Sequence, residues 1–518
     1  MVGVVVLGVA AAALVVLADL VQARTQVPAA VLLVLAGLVY GLLPGRNVEI
    51  NAEVVLTLVL PPLLYWAALN AGLLEIRANL YPVFSLAVSL VLLTALAAGA
   101  ALAWVVPGLP LAVGVALGAA VAPPDPIAAL SIGRRAGLPA RLITLIEGEG
   151  LLNDATAITA LQVAIAVAVG GGFSLGGAAG QFVYAAVVGT ASGLVVATVV
   201  RWLRRFLPDP LADNGLSLMT PFLPYLLAEE VHGSGLLAVV VAGLWLGYAA
   251  PVFQSASSRL QTRAVWRLVN FLLEGVVFLL IGDQLPAVVR GLHEYPAGVV
   301  AAAAALTVAV VLLIRPAWLA LIAHLPRPVA GGRFAVRLNW RELLAMSWVG
   351  TRGVISLAAA FAMPAAAAGR YRPLLLFCAY AVVLVTVVGQ GSTFAPLVRA
   401  LGLTAGRDAE LRRVDEARVA GVRAGLRRLD ELERERPVPA EVAEGLRRVA
   451  GLRCQRTSRR GAGGVAETPA ALHAELRRQM IEAERDELVH WRDAGRLSDP
   501  ALRLLERELD QEEGLLAR

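Results

Sequence analysis

The sequence predicts an all-α polytopic membrane protein carrying a soluble helical C-terminal tail, on three observations. Of 518 residues, 58% are hydrophobic and only 16% charged, where an average soluble domain is about 25% charged. Apolar runs long enough to cross a bilayer recur through residues 1–401, and then stop. The charge divides at the same place: residues 1–401 hold 22 Arg against 16 Asp and Glu, and residues 402–518 hold 23 of each. Together with a mean hydropathy of +0.72, this excludes a soluble globule, a coiled coil and a disordered chain. The net charge of +6 lies wholly on the apolar part, where membrane topology explains it and nucleic-acid binding does not. The two cysteines, Cys378 and Cys454, stand in different regions, which excludes a disulfide framework and offers no metal-ligand spacing.

A helix crossing about 30 Å of hydrocarbon needs about 20 mostly apolar residues. That ruler gives thirteen spans, at residues 2–20, 27–43, 52–69, 80–106, 109–132, 141–170, 180–200, 215–231, 235–252, 264–289, 296–323, 341–364 and 373–400. The first has no basic residue ahead of its apolar run, so it reads as a span and not as a cleaved signal. Cytoplasmic loops are rich in Arg. Fifteen loop arginines fall on one side, including Arg24, Arg77, Arg201, Arg204, Arg205 and Arg341, against Arg46, Arg290, Arg370 and Arg372 on the other. An odd number of spans with this bias places the N-terminus outside and the tail, residues 402–518, in the cytoplasm.

With the seventh span as a linker, spans one to six and eight to thirteen form two six-helix units of opposite polarity. That is an inverted repeat, a plan in which the site lies where corresponding helices are broken near the midplane. The fifth span carries Ala122-Pro123-Pro124-Asp125-Pro126, and its counterpart, the twelfth, carries Gly350-Thr351-Arg352-Gly353. The expected helix breaks are therefore at Pro124 and Pro126 and at Gly350 and Gly353. Each surrounds one charge.

Ionisable groups at membrane depth are costly unless paired or hydrated, which makes them functional candidates. The sixth span reads Glu147-Gly148-Glu149-Gly150-Leu151-Leu152-Asn153-Asp154. On a helix Glu149 and Asp154 lie about 140° apart and should meet different partners. Glu149 is expected to form a supporting ion pair with Arg352, leaving Asp154 to meet Asp125. A monovalent cation wants several oxygen ligands, which two carboxylates and the carbonyls of a prolyl break can provide. Such a carboxylate holds either a proton or a metal cation but poorly both, and that competition couples two gradients. Glu274, the remaining mid-span acid, either lines a funnel or pairs with Arg315 beside Pro316. His232, His293 and His324 lie in loops or at span ends, and His473 and His490 in the tail, none placed as a zinc ligand. No nucleophile or cofactor motif points to an enzyme.

Three segments resemble the signatures of the monovalent cation:proton antiporter-1 family, the bacterial Na+/H+ exchangers. They are Glu149-Gly150-Leu151-Leu152-Asn153-Asp154, the Asp125-Pro126 pair, and Trp348-Val349-Gly350-Thr351-Arg352-Gly353-Val354. The resemblance covers residues 1–401 in order and spacing. It implies a homodimer in the bacterial plasma membrane with a dimer domain and a core domain moving as an elevator, exchanging Na+ for H+ without a cofactor. It further implies that Asp154 binds the ion, Asn153 is its structural neighbour, Asp125 is a second site residue and Glu149 with Arg352 a supporting pair. An Asn-Asp pair marks electroneutral exchange in this family. The sequence departs from the pattern at Pro124 in place of Thr, Gly150 in place of Ser, and Trp66 where some archaeal members have an acid. Each departure removes an oxygen, so a K+/H+ or broad monovalent cation exchanger stays open beside Na+/H+ exchange, as does a proton or cation channel.

In the tail, Leu411, Val414, Val422, Leu426, Leu429 and Leu432 make an amphipathic helix over 409–436, stopped by Pro437 and Pro439. Residues 453–466 read as a polar linker. Thr468-Pro469 should start a helix running to about 494, and Ser498-Asp499-Pro500 another. The segment 493–500 with Leu502, Leu505, Leu509 and Asp510 is similar to the ends of long bacterial members of the family.

Overall fold

The computed structural model describes residues 2–25, 29–43, 55–125, 129–130, 133, 137–170, 174–207, 209–324, 338–403, 406–435 and 437–460, with further positions between 476 and 512. All regular structure among them is helical. The chain divides into two compact units, Met1–Gly406 and Arg407–Arg518.

The first unit begins with α1 (Val2–Thr25) and α2 (Ala29–Gly41). A π-helical turn at Val55–Val59 leads into α3 (Leu60–Asn70), followed by α4 (Leu73–Ala78). The next rod is composite: α5 (Leu80–Phe84), a π turn at Ser85–Ser89 and α6 (Leu90–Val105). Then come α7 (Leu111–Val121), α8 (Ala140–Ala168) and α9 (Leu175–Arg204). The expected eighth span is two short helices, α10 (Pro210–Met219) and α11 (Phe222–Glu230), because Pro221 separates them. They are followed by α12 (Gly235–Phe253), α13 (Ala256–Arg290) and α14 (Ala297–His324). The expected twelfth span is split into α15 (Trp340–Trp348) and α16 (Val354–Phe361). A short α17 (Ala365–Ala368) precedes α18 (Arg372–Val385), a π turn at Thr386–Gln390 and α19 (Gly391–Ala400).

Local chemistry sets the starts. Side chains of Ser174, Ser234 and Ser255 accept from backbone N–H groups in the first turns of α9, α12 and α13, satisfying donors that a helix start leaves open. Asn339 and Glu342 form a reciprocal capping box at α15, with bonds of 2.8 and 2.9 Å. Seven helical stretches among the described residues are long and apolar enough to cross a membrane, and four apolar helices are shorter, among them Leu111–Val121 and Ala29–Gly41.

Small residues let the rods approach closely. Gly37 and Gly41 of α2 face the carbonyl oxygens of Leu279 and Asp283 on α13, and Gly282 of α13 faces that of Val34. A methyl at any of the three would overlap the opposite backbone, so α2 and α13 meet main chain to main chain. The largest buried apolar cluster joins α6, α7, α13, α16 and α18 around Leu117, Leu357, Leu374 and Tyr380. A second lies around Tyr65, Val239, Leu246 and Trp266, and a third around Leu142, Leu145, Met346 and Val398.

One polar seam runs between α10 and α13. Arg204 pairs with Asp213 at 3.1 Å, both side chains nearly inaccessible. Ser258 and Gln254 donate to Asp213 Oδ2, Thr262 donates to Asn214 at 2.6 Å, and the Trp266 indole donates to Ser217 at 2.9 Å. The sequence count treats Arg204 as a loop charge; the fold buries it against Asp213, whose carboxylate offsets the charge taken out of water.

The second unit contains α20 (Gly406–Glu435) and α21 (Ala440–Arg460). Val422, Leu426, Leu429 and Leu432 are half-buried on one face of α20. Arg447 of α21 reaches Asp430 at 2.8 Å and Glu433 at 2.6 Å, so α21 folds back along the end of α20. The expected linker at 453–466 is corrected in its first half, because α21 stays helical through Arg460. Thr468-Pro469 and Ser498-Asp499-Pro500 lie outside the described residues. Further along, Arg477 bonds Glu512 through two nitrogens, at 2.7 and 2.9 Å. Those bonds hold the Glu512 carboxyl below its ordinary range.

Candidate functional site

Two interrupted helices form the centre of the first unit. α7 stops at Val121, since Pro123 and Pro124 cannot donate the hydrogen bonds that would continue it, and residues 122–125 are non-helical. α15 stops at Trp348, and residues 349–353 are non-helical up to the start of α16. Both breaks fall where the prolines and glycines predict; Pro126 itself lies outside the described residues.

The breaks are hydrogen-bonded to each other. Asp125 N donates to Thr351 O at 2.7 Å, and Thr351 Oγ1 donates back to Asp125 O at 3.1 Å. Gly353 leaves room for this contact, because a methyl there would force the Asp125 side chain to move. Arg352 is almost fully buried. Its Nε donates to Val121 O at 3.1 Å, its Nη2 to Ala122 O at 3.0 Å, and its Nη1 to Gly350 O. These carbonyls belong to the two breaks, and a cation at the C-terminal end of α7 also complements the helix dipole. The π turn after α18 contributes Thr386, whose Oγ1 accepts from Arg352 N at 2.9 Å.

This corrects the expected ion pair of Glu149 with Arg352. Glu149, 2% exposed, is held in a two-pronged pair by Arg315 of α14, with Nη2 at 2.8 Å from Oε2 and Nη1 on Oε1. Arg315 Nε donates to Met346 O at 2.8 Å. The physical reason is capacity: all three kinds of Arg352 nitrogen are taken by carbonyls that the breaks expose, whereas the Arg315 fork matches a carboxylate. The same contact removes Arg315 as the partner of Glu274. Arg315, which the sequence offers only as one possible partner of Glu274, is the residue that sequence reasoning missed, and its signal was a lone charge beside Pro316 in an otherwise apolar run.

On α8, one turn beyond Glu149, lie Asn153 and Asp154. Asn153 is fully buried, and its Nδ2 donates to Pro124 O at 2.8 Å, which ties the α8 side of the site to the first break. Its Oδ1 has no hydrogen-bond partner among the described residues. Asp154 is 4% exposed, and among the described residues no donor bonds its carboxylate. Asp125 lies within Coulombic range of both Asp154 and Glu274. Asp125 on the first break, Asn153 and Asp154 on the continuous α8, and Glu274 on α13 thus gather as oxygen carriers, while Arg352 and Thr351 fix the two breaks to each other.

Residues 9–400 match the family described as sodium/hydrogen exchanger, transmembrane. An uncharacterised Na+/H+ exchanger of Mycobacterium tuberculosis is 32% identical over 98% of this chain and 95% of its own length. The chain belongs to the sodium/hydrogen exchanger family. A sodium, potassium, lithium and rubidium/H+ antiporter of Bacillus subtilis is 32% identical over 66% of this chain and 53% of its own length. Among solved structures, the sodium proton antiporter of Methanocaldococcus jannaschii shares the fold, with a TM-score of 0.61 and 20% identity over 77% of this chain and 99% of that one. Sodium/hydrogen exchangers are transporters and not enzymes.

Arg352→Ala in this exchanger is expected to lower stability and leave the Glu149–Arg315 pair in place. It deprives the carbonyls of Val121, Ala122 and Gly350 of a charged donor, a bond type that contributes about 1.5–3 kcal/mol each. A thermal unfolding scan in detergent checks it, and an unchanged midpoint would refute the role. Arg352→Lys should not restore the midpoint, because one ammonium cannot reproduce a planar fork.

Proposed function

We propose that this protein is a secondary active antiporter exchanging Na+ for H+ across a bacterial plasma membrane, with one cation and one proton competing for Asp154. The observation that carries the reading is a buried Asp154 carboxylate next to the Asn153 Oδ1, neither bonded by a donor among the described residues, on a helix that Asn153 ties to the first break through Pro124 O. A buried polar oxygen without a donor is unusual; a dehydrated cation is the partner that suits it. Protonating Asp154 removes the charge that holds the cation, and losing the proton restores it. With Asn153 and not a second acid directly before Asp154, one titrating carboxylate swaps one proton for one cation, and exchange is electroneutral.

In the same reading the membrane unit has thirteen spans in two inverted six-helix repeats, the N-terminus outside and the tail cytoplasmic. The asymmetry of loop arginines supports this. The protein works as a homodimer in lipid, and a core domain carries the site across as an elevator. The matching breaks at residues 122–125 and 349–353 support the repeat.

A second reading, exchange of K+ or several monovalent cations for H+, is favoured by Pro124 and Gly150, which leave the site without the hydroxyls of Thr and Ser. The Bacillus subtilis relative, a sodium, potassium, lithium and rubidium/H+ antiporter, points the same way.

Everted vesicles with an acidified lumen and a pH dye test both. The expected result is alkalinisation on adding Na+, with K+ and Li+ pulses ranking the cations. Collapse of the gradient before any cation is added would indicate a channel and overturn antiport. A response unaffected by a potassium-selective ionophore clamp checks electroneutrality.

A further inference from the structure

The tail helix α21 leaves an apolar strip uncovered. Val442, Leu446 and Val449 are 52%, 52% and 51% exposed, and at 100° per residue they fall within about 60° of one another on the helix. The other side of α21 is engaged: Ala443 is buried, and Arg447, at least about 100° round from all three, is held by Asp430 and Glu433. In helical register, positions 453, 456 and 460 continue the strip, and all three are arginines. Residues 440–460 contain six Arg and two Glu, a net charge of +4. One face of one helix thus changes from apolar to cationic along its length.

We propose that α21 docks on the surface of an anionic bilayer, with Val442, Leu446 and Val449 seated at the acyl boundary and the arginines on lipid phosphates. Interfacial helices combine these two features, a narrow apolar strip and basic flanks. Charge selects the occupant. With Arg447 already held by Asp430 and Glu433, the other five arginines of α21 still exceed its two glutamates by three; a second copy would set these like charges together, whereas an anionic leaflet neutralises them. The docking stands apart from the transport reading, since it uses no residue of the ion site.

The test uses the full chain with Val449→Cys in a Cys454→Ser background; Cys378 is fully buried. The engineered thiol carries an environment-sensitive fluorophore, and the protein is reconstituted in phosphatidylcholine alone or in an equal mixture with phosphatidylglycerol. Each bilayer is made with and without brominated acyl chains. Blue-shifted emission and bromine quenching are expected in the mixture and weak in phosphatidylcholine, and both should fade with added salt. Replacing Arg453, Arg456 and Arg460 with Gln should weaken the association by about fivefold per arginine. Leu446→Asp, which leaves the arginines, should also abolish quenching. Quenching that is absent from both bilayers, or that survives the arginine replacements, overturns the proposal. So does a lipid-independent blue shift with crosslinking between two engineered thiols, which would give the strip to a second copy.

Discussion

Asp154→Asn is expected to reduce cation-dependent proton exchange to the level of empty vesicles while the protein inserts and accumulates normally. The two outcomes separate because the substitution keeps size and removes only the ability to ionise. A neutral amide resembles the protonated acid, so burial costs it less than it costs the carboxylate. No donor among the described residues bonds the Asp154 carboxylate, so no partner is stranded. What is lost is a group that alternates between a proton and a cation. Dye-monitored exchange in everted vesicles, normalised to protein content in the membrane, is the measurement. Full activity in this variant would remove Asp154 from the site. Asp125→Asn should give a milder defect, a weaker apparent cation affinity with measurable exchange at high Na+, since Asp125 shares its environment with Asp154 and Glu274.

The second large effect is on folding. Arg315→Ala should destabilise the protein by about 3–5 kcal/mol, the range for breaking a buried pair and leaving its partner charged. Glu149 would lose both its bonds and Met346 O its donor. Removing both partners should cost less than the sum of the single changes, because Glu149→Ala deletes the stranded charge. The Arg352→Ala and Glu149→Ala effects should couple more weakly than that pair, for those two residues interact only through their charges and share no hydrogen bond. Unfolding midpoints in detergent for the singles and doubles form two thermodynamic cycles. Coupling in the Arg352 cycle and none in the Arg315 cycle would reinstate the pairing that the sequence suggests.

That reversal shows what the sequence could and could not disclose. The two breaks were legible because proline and glycine act on their own backbone: Pro123 and Pro124 end α7, and Gly350 and Gly353 bracket the gap between α15 and α16. Asp154 and Asn153 stand out as candidates because polar residues in an apolar run are conspicuous, and the fold buries both. Partnership was not legible. Glu149 and Arg315 are 166 positions apart, and nothing local distinguishes Arg315 from Arg352 as the closer guanidinium. The geometry of Arg352 depends on three carbonyls, which every residue has and no sequence displays. Arg204 was misread for a related reason. It sits among the basic residues that end α9, and only the fold shows that Asp213 is within reach. In the tail, the prolines at 437 and 439 ended α20 as expected, while residues 453–460, counted into a polar linker by composition, are helical.

The glycine contacts between α2 and α13 set a limit on how the molecule can rearrange. Where Gly37, Gly41 and Gly282 lie on opposing carbonyls, sliding by one residue would drive a side chain into the other main chain. Whatever motion carries an ion must take these two helices as one piece. A chemical staple across their seam should then be silent in transport assays, which makes the pair a fixed ruler against which displacement of every other helix can be measured.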